Sequence, residues 1–135
     1  MANYIIISIV SGILFGVLDG LINANPIAVR LYEIYKPIAK TSLNFIAGIV
    51  IDLAYGFILA ALFLILHDSL PGTIGLVKGI SYAVIVWFLR VVMSVLTQWM
   101  MYKVPIKTLV YTLLTGLVEM LVLGILYGLA LKPIL

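Results

Sequence analysis

The sequence predicts an all-α membrane fold: four antiparallel transmembrane helices in a bundle. Three observations carry that expectation. Of 135 residues, 65% are hydrophobic and 10% charged, against about half and about a quarter in ordinary soluble domains. The apolar residues gather into four stretches, each near the roughly 20 residues that a helix needs to cross a hydrocarbon core of about 30 Å. Polar, proline-containing breaks separate the stretches. A soluble fold of this length has too little interior to hide so much apolar surface, so lipid must take the excess. The chain therefore reads as a single integral membrane domain over 1–135, its helices packed mostly with left-handed crossings.

The four helices are expected at about 4–24, 43–66, 77–101 and 108–131. Asn25-Pro26 stops the first, and His67-Asp68-Ser69-Leu70-Pro71-Gly72 the second. Tyr102-Lys103-Val104-Pro105 stops the third, and Pro133 follows the fourth. Proline disfavours helix at the residue before it, so each is a physical boundary. The first stretch lacks a basic leader and a small-residue cleavage site, and reads as a retained helix rather than a signal peptide.

Loop charge sets the expected orientation. Arg30, Lys36 and Lys40 lie in the first connection, and Lys103 and Lys107 in or beside the third. The opposite side holds Lys78, Lys132 and the amino terminus. The basic loops are placed in the cytoplasm and both termini outside, with the cytoplasmic membrane of a prokaryote as the location. The net charge of +3 belongs to loops where topology explains it, and implies no nucleic-acid partner. Residues 27–39 alternate Ile27, Leu31, Ile34 and Ile38 with Arg30, Glu33 and Lys36. That spacing suits either a short helix lying in the headgroup plane or a plain cytoplasmic loop.

Several chemistries are excluded by composition. With no cysteine there is no disulfide, thiolate nucleophile or Cys-held zinc or iron–sulfur cluster. One histidine, His67, cannot supply a bis-His haem site within one chain. No cofactor and no metal is expected, and no Ser–His or multi-acid pattern points to an enzyme.

Attention falls instead on four ionisable residues, one inside each apolar stretch: Asp19, Asp52, Arg90 and Glu119. A charge at the bilayer centre costs about 2.5–3.5 kcal/mol on the insertion scale, so these side chains should face one another rather than lipid. At 1.5 Å rise per residue, Asp52, Arg90 and Glu119 lie about 15, 16 and 18 Å from the cytoplasmic helix ends, with Asp19 nearer the surface at about 8 Å. The helical repeat aligns small and polar residues with them. Gly12, Gly16, Asp19, Gly20 and Asn23 share a face of the first helix. Asn44, Gly48, Asp52, Gly56 and Ala60 form a stripe on the second. Arg90, Ser94, Thr97 and Gln98 share a side of the third, and Thr108, Thr112, Thr115, Gly116 and Glu119 one of the fourth. Trp87 stands three residues before Arg90, at cation–π spacing.

Such a centre is either a register lock or a pathway. One arginine cannot neutralise three carboxylates, so at least one acid should hold a proton, bind a cation or meet water. The leading expectation is a small transporter or channel-like protein for an ion or small solute, with Asp19, Asp52, Arg90 and Glu119 as its charge network. Asn23, Asn44, Ser94, Gln98, Thr112 and Thr115 would be supporting polar groups. The alternative is a non-catalytic anchor, assembly factor or accessory subunit of a larger membrane complex. Besides the lipid bilayer, a homo-oligomer or such a complex is the expected partner, and the glycine stripes of the first two helices are candidates for the subunit contact.

Overall fold

A computed structural model describes residues 2–38 and 44–131. All regular structure among them is helical. Helix α1 spans Ala2–Ala24, α2 Pro26–Leu31, α3 Phe45–Leu66, α4 Gly75–Trp87, α5 Met93–Met101 and α6 Ile106–Ala130. Short 3-10 segments follow α2 (Tyr32–Ile38) and α3 (His67–Ser69), and a π-helical turn, Phe88–Val92, joins α4 to α5. Four continuous helical stretches are long and apolar enough to cross a membrane: Ala2–Ala24, Phe45–Ser69, Gly75–Met101 and Ile106–Ala130. The sequence-predicted positions 39, 43 and 132, with Lys40, fall outside the described residues.

Local chemistry explains the boundaries. Asn25 ends α1 and caps α2, its side-chain oxygen accepting from the Ala28 amide at 2.9 Å while Pro26 occupies the first turn. Pro37 sits inside the 3-10 segment. Asn44 caps α3 by accepting from Ala47. At the far end of α3, the Lys78 ammonium donates to the His67 and Leu70 carbonyls at 2.6 and 3.1 Å. A cation there satisfies terminal carbonyls and complements the helix dipole. Gly72 turns that connection with φ 104°, a conformation that L side chains rarely adopt.

The helices associate as two close pairs, α1 with α3 and α4 with α6. In each pair the numbering ascends on one helix as it descends on the other. Gly12 lies against Leu53, and Gly56 against Ser8 and Gly12. Gly75 lies against Gly128, and Gly79 against Gly124. Small residues spaced four apart let helix backbones approach until they touch, which gives van der Waals contact and shields backbone polar groups. The glycines of α1 and α3 that sequence pattern offers as a subunit contact, Gly12 and Gly56, are thus occupied within the chain. Gly20 and Gly48 meet nothing within 4 Å.

The pairs join through α1 and α6 and through a buried cluster that includes Phe15, Leu59, Phe63, Tyr82, Met120, Leu123 and Tyr127. Tyr82 donates to the Leu59 carbonyl at 2.6 Å, which ties α4 to α3. Asn3 donates to the Ala130 carbonyl at 2.8 Å, so α1 begins where α6 ends. At the opposite end, Thr108 donates to the Leu31 carbonyl. Arg30, Lys36, Lys103 and Lys107 gather at this second, basic end.

The glycine contacts generate a test. Gly79→Ala drives a methyl into the Gly124 carbonyl and should lower unfolding free energy by about 1–3 kcal/mol, as overpacking does. Gly20→Ala meets open space and should be neutral or stabilising by up to about 1 kcal/mol. Unfolding titrations in detergent, followed by circular dichroism, measure both. Equal effects would mean that α4 and α6 are not in backbone contact.

Candidate functional site

Three helical segments and two tyrosine rings enclose the polar centre. A cavity of about 330 Å³ lies toward the basic end, between Asp19, Ile22 and Asn23 of α1, Arg90, Val91 and Ser94 around the π-helical turn, and Thr112, Thr115, Gly116 and Glu119 of α6. Tyr32 reaches it from the 3-10 segment, and Tyr55 is the one α3 residue on its wall.

The π-helical turn places Arg90. The Met93 amide bonds five residues back, to the Phe88 carbonyl, so the helix accommodates one residue more than α geometry allows. Such turns are frequent at functional sites. The Arg90 guanidinium sits 5.0 Å from the centre of the Phe15 ring and 5.3 Å from that of Tyr55, and these rings are stacked at 17°. Its Nη1 stands 3.5 Å from Glu119 Oε1. The Glu119 side chain is 3% exposed and that of Arg90 31%. The pair is therefore long and monodentate, and buried only on its acidic side. Trp87 turns elsewhere: its indole donates to the Leu113 carbonyl at 2.9 Å.

Asp19 shares the cavity wall with Glu119 and stands within its electrostatic range. Asp52 leans on α1, where a Cβ at Gly16 would come within 2.7 Å of its Oδ2, and stands within electrostatic range of Asp19 and Glu119. It forms no ion pair among the described residues. The four ionisable residues expected from sequence thus share one region, three on the cavity wall and Asp52 beside it. No group of three or more acids or histidines among the described residues converges closely enough to hold a metal ion.

The supporting polar residues divide. Asn23, Ser94, Thr112 and Thr115 line the cavity. Asn23 also donates to the Asp19 backbone carbonyl at 2.8 Å. Gln98 lies a turn further out and accepts from the Tyr35 hydroxyl. Asn44 is an exposed helix cap away from the cavity. Thr97 donates to the Met93 carbonyl of its own helix.

Sequence pattern did not place Tyr32, Tyr35 or Tyr111 at this site. Tyr32 donates to Thr112, 2.9 Å away, whose own proton goes to the Thr108 carbonyl. Burial keeps the Tyr32 and Tyr35 phenols above their ordinary pKa, so both remain protonated donors. Tyr111 contacts Tyr32 edge-on and donates to the Ile22 carbonyl, while Asn25 donates to the Tyr111 hydroxyl at 2.9 Å. The segment between α1 and α3 is thereby fastened across α5 and α6 beside the cavity mouth. A usable signal was present for Tyr55, which follows Asp52 by three residues on the same helix face.

No family model matches the chain, and no curated protein or solved structure does. The reading of the site rests on its own chemistry.

The Arg90–Glu119 contact predicts non-additivity. Arg90→Leu alone leaves a buried carboxyl without its partner and should cost about 3–5 kcal/mol, whereas Arg90→Leu combined with Glu119→Leu should cost less than the single change. Detergent unfolding midpoints of the three proteins measure the coupling. Additive losses would sink the pairing.

Proposed function

We propose that this chain is a polytopic membrane protein, an antiparallel four-helix transmembrane bundle, that carries a small cation or cationic solute in exchange for a proton. The observation that carries the reading is Glu119: a deeply buried acid on the wall of a polar cavity, held by Arg90 on one side and met by Asp19 on the other. One guanidinium cannot neutralise both carboxyl groups on this wall, so a proton on one of them keeps the site neutral. A cation entering the cavity competes with that proton, which is the elementary step of exchange. Charges inside apolar helices are costly, and when retained they commonly mark ion or proton paths.

Proteoliposome flux tests the reading. Cation uptake should rise as pH rises, because the competing proton is removed, and Glu119→Gln should abolish uptake while leaving helix content and insertion intact. Absence of flux from the unsubstituted protein across the pH range would overturn it. Topology is checked separately. The basic end, with Arg30 and Lys103, belongs in the cytoplasm of a prokaryotic cell on this reading, and both termini belong outside. A cysteine at position 104 should resist an impermeant reagent in intact cells, and labelling there would invert the assignment.

The accessory-subunit reading has one observation in its favour. Residues 45–51, the first two turns of α3, are exposed on every face, including Phe45, Ile46 and Ile49. A second copy or another membrane protein packed there would make this helix an assembly surface. On that reading Glu119→Gln changes complex retention, and the purified protein shows no flux.

A further inference from the structure

The hydrogen-bonding inventory of the cavity narrows the ligand. Its wall is rich in acceptors, beside the Ser94 and Tyr55 hydroxyls, which can donate or accept. Thr112 and Thr115 spend their protons on the Thr108 and Tyr111 carbonyls at 3.0 and 2.7 Å, so each hydroxyl has only lone pairs to offer the cavity. Asn23 uses one amide N–H on the Asp19 backbone and has its side-chain oxygen and a second N–H left. Asp19 adds a carboxyl. The charged donor is Arg90, and its charge is already engaged by Glu119 and by the Phe15 and Tyr55 rings.

We propose that the cavity binds a small protonated primary amine, whose N–H groups go to Asp19 and to the lone pairs of Thr112, Thr115 and Asn23. This deepens the cation reading above by naming the substrate class. An ammonium group has three donors and no acceptor, the complement of this wall. A quaternary ammonium of equal charge has no N–H and would leave the acceptors desolvated and unpaired. A bare metal ion is disfavoured because the acids do not converge. The cavity, at about 330 Å³, also has room for a ligand of several heavy atoms.

The geometry also gives the amine a route. Tyr55 is α3's sole contribution to the wall, and α3 draws away from α1 beyond the Gly16–Asp52 contact, since Gly20 and Gly48 meet nothing. Asn23 and Ser94 are exposed at this side. Asp52 stands beside the opening, in the field of Asp19 and Glu119. It offers the approaching cation a first counter-charge before Asp19 takes it.

Calorimetric titration of the full chain in zwitterionic-lipid nanodiscs tests this. The probes are n-butylammonium, its N,N,N-trimethyl counterpart and sodium. The primary amine should bind at least about tenfold more tightly than the trimethyl compound, since a charge-assisted hydrogen bond is worth about 1.5–3 kcal/mol. Asp19→Asn should weaken the primary amine by a similar factor. Should that variant fail to fold, Thr115→Val keeps the side-chain shape and removes a lone-pair acceptor. It should narrow the preference for the primary amine without lowering the affinity of the trimethyl compound. Equal binding of the two amines, tighter binding of sodium than of the primary amine, or no binding at all would overturn the proposal. Selective amine binding with no flux in liposomes would leave this site standing and remove transport. Proton-coupled flux of another cation without amine binding would do the reverse.

Discussion

Backbone contact at glycine is the constraint from which the rest follows; between α4 and α6 it lies at one end, and between α1 and α3 at mid-helix. Gly75 and Gly79 draw α4 onto Gly128 and Gly124, and Gly12 and Gly56 draw α1 onto α3. Toward the basic end the spacers grow: Val91 stands against Gly116, and Val95 packs with Leu109. Helices clamped at one end and propped at the other must diverge. The wedge between them is where Asp19, Arg90 and Glu119 meet. Apolar packing thus makes the room, and the polar residues occupy it because lipid would be a costlier neighbour.

The charge arrangement in that wedge is asymmetric. Arg90 has two aromatic faces and one acid, Glu119 has Arg90 and Asp19, and Asp52 has no counter-ion within pairing distance among the described residues. A structural lock would match its charges, because an uncompensated buried ion is expensive. This site leaves negative charge in excess beside a cavity, and the Thr112 and Thr115 hydroxyls are turned so that they also accept. The excess and the acceptor inventory belong to different side chains and point the same way, to a positively charged donor.

Much of this was legible from the chain alone, for identifiable reasons. Apolar runs and proline breaks give the four long stretches to within about two residues, because both act through local physics. Helical periodicity brings Asp19, Asn23, Thr112, Thr115 and Glu119 to one interior, since a straight helix preserves its faces. It does less well for α3, where Asn44 and Gly48 continue the Asp52 stripe but lie beyond the point at which α3 leaves its partner. Which glycines pair is a tertiary matter: the Gly75/Gly79 and Gly124/Gly128 spacings are plain in sequence, while their mutual contact is not. Tyr32 was illegible as a wall residue because it arrives from a connection whose path depends on Asn25, Tyr111 and Gln98.

The π-helical turn has a consequence for how such a chain tolerates changes in length. It stores one residue beyond what α geometry requires, in a stretch with neither glycine nor proline to mark it. Loss of a single residue between Phe88 and Val92 would let the segment relax into an ordinary helix without breaking it. Because the wide turn already absorbs that residue, the side chains before and after the deletion would keep their faces, and only those within Phe88–Val92 would be re-aimed. Trp87, Ser94, Gln98 and the glycine contacts of α4 would stay in place while Arg90 lost its present aim at Glu119. A one-residue gap at this point, in a chain of the same lineage, would therefore mark a protein that keeps the packing but has lost or changed the chemistry of its cavity.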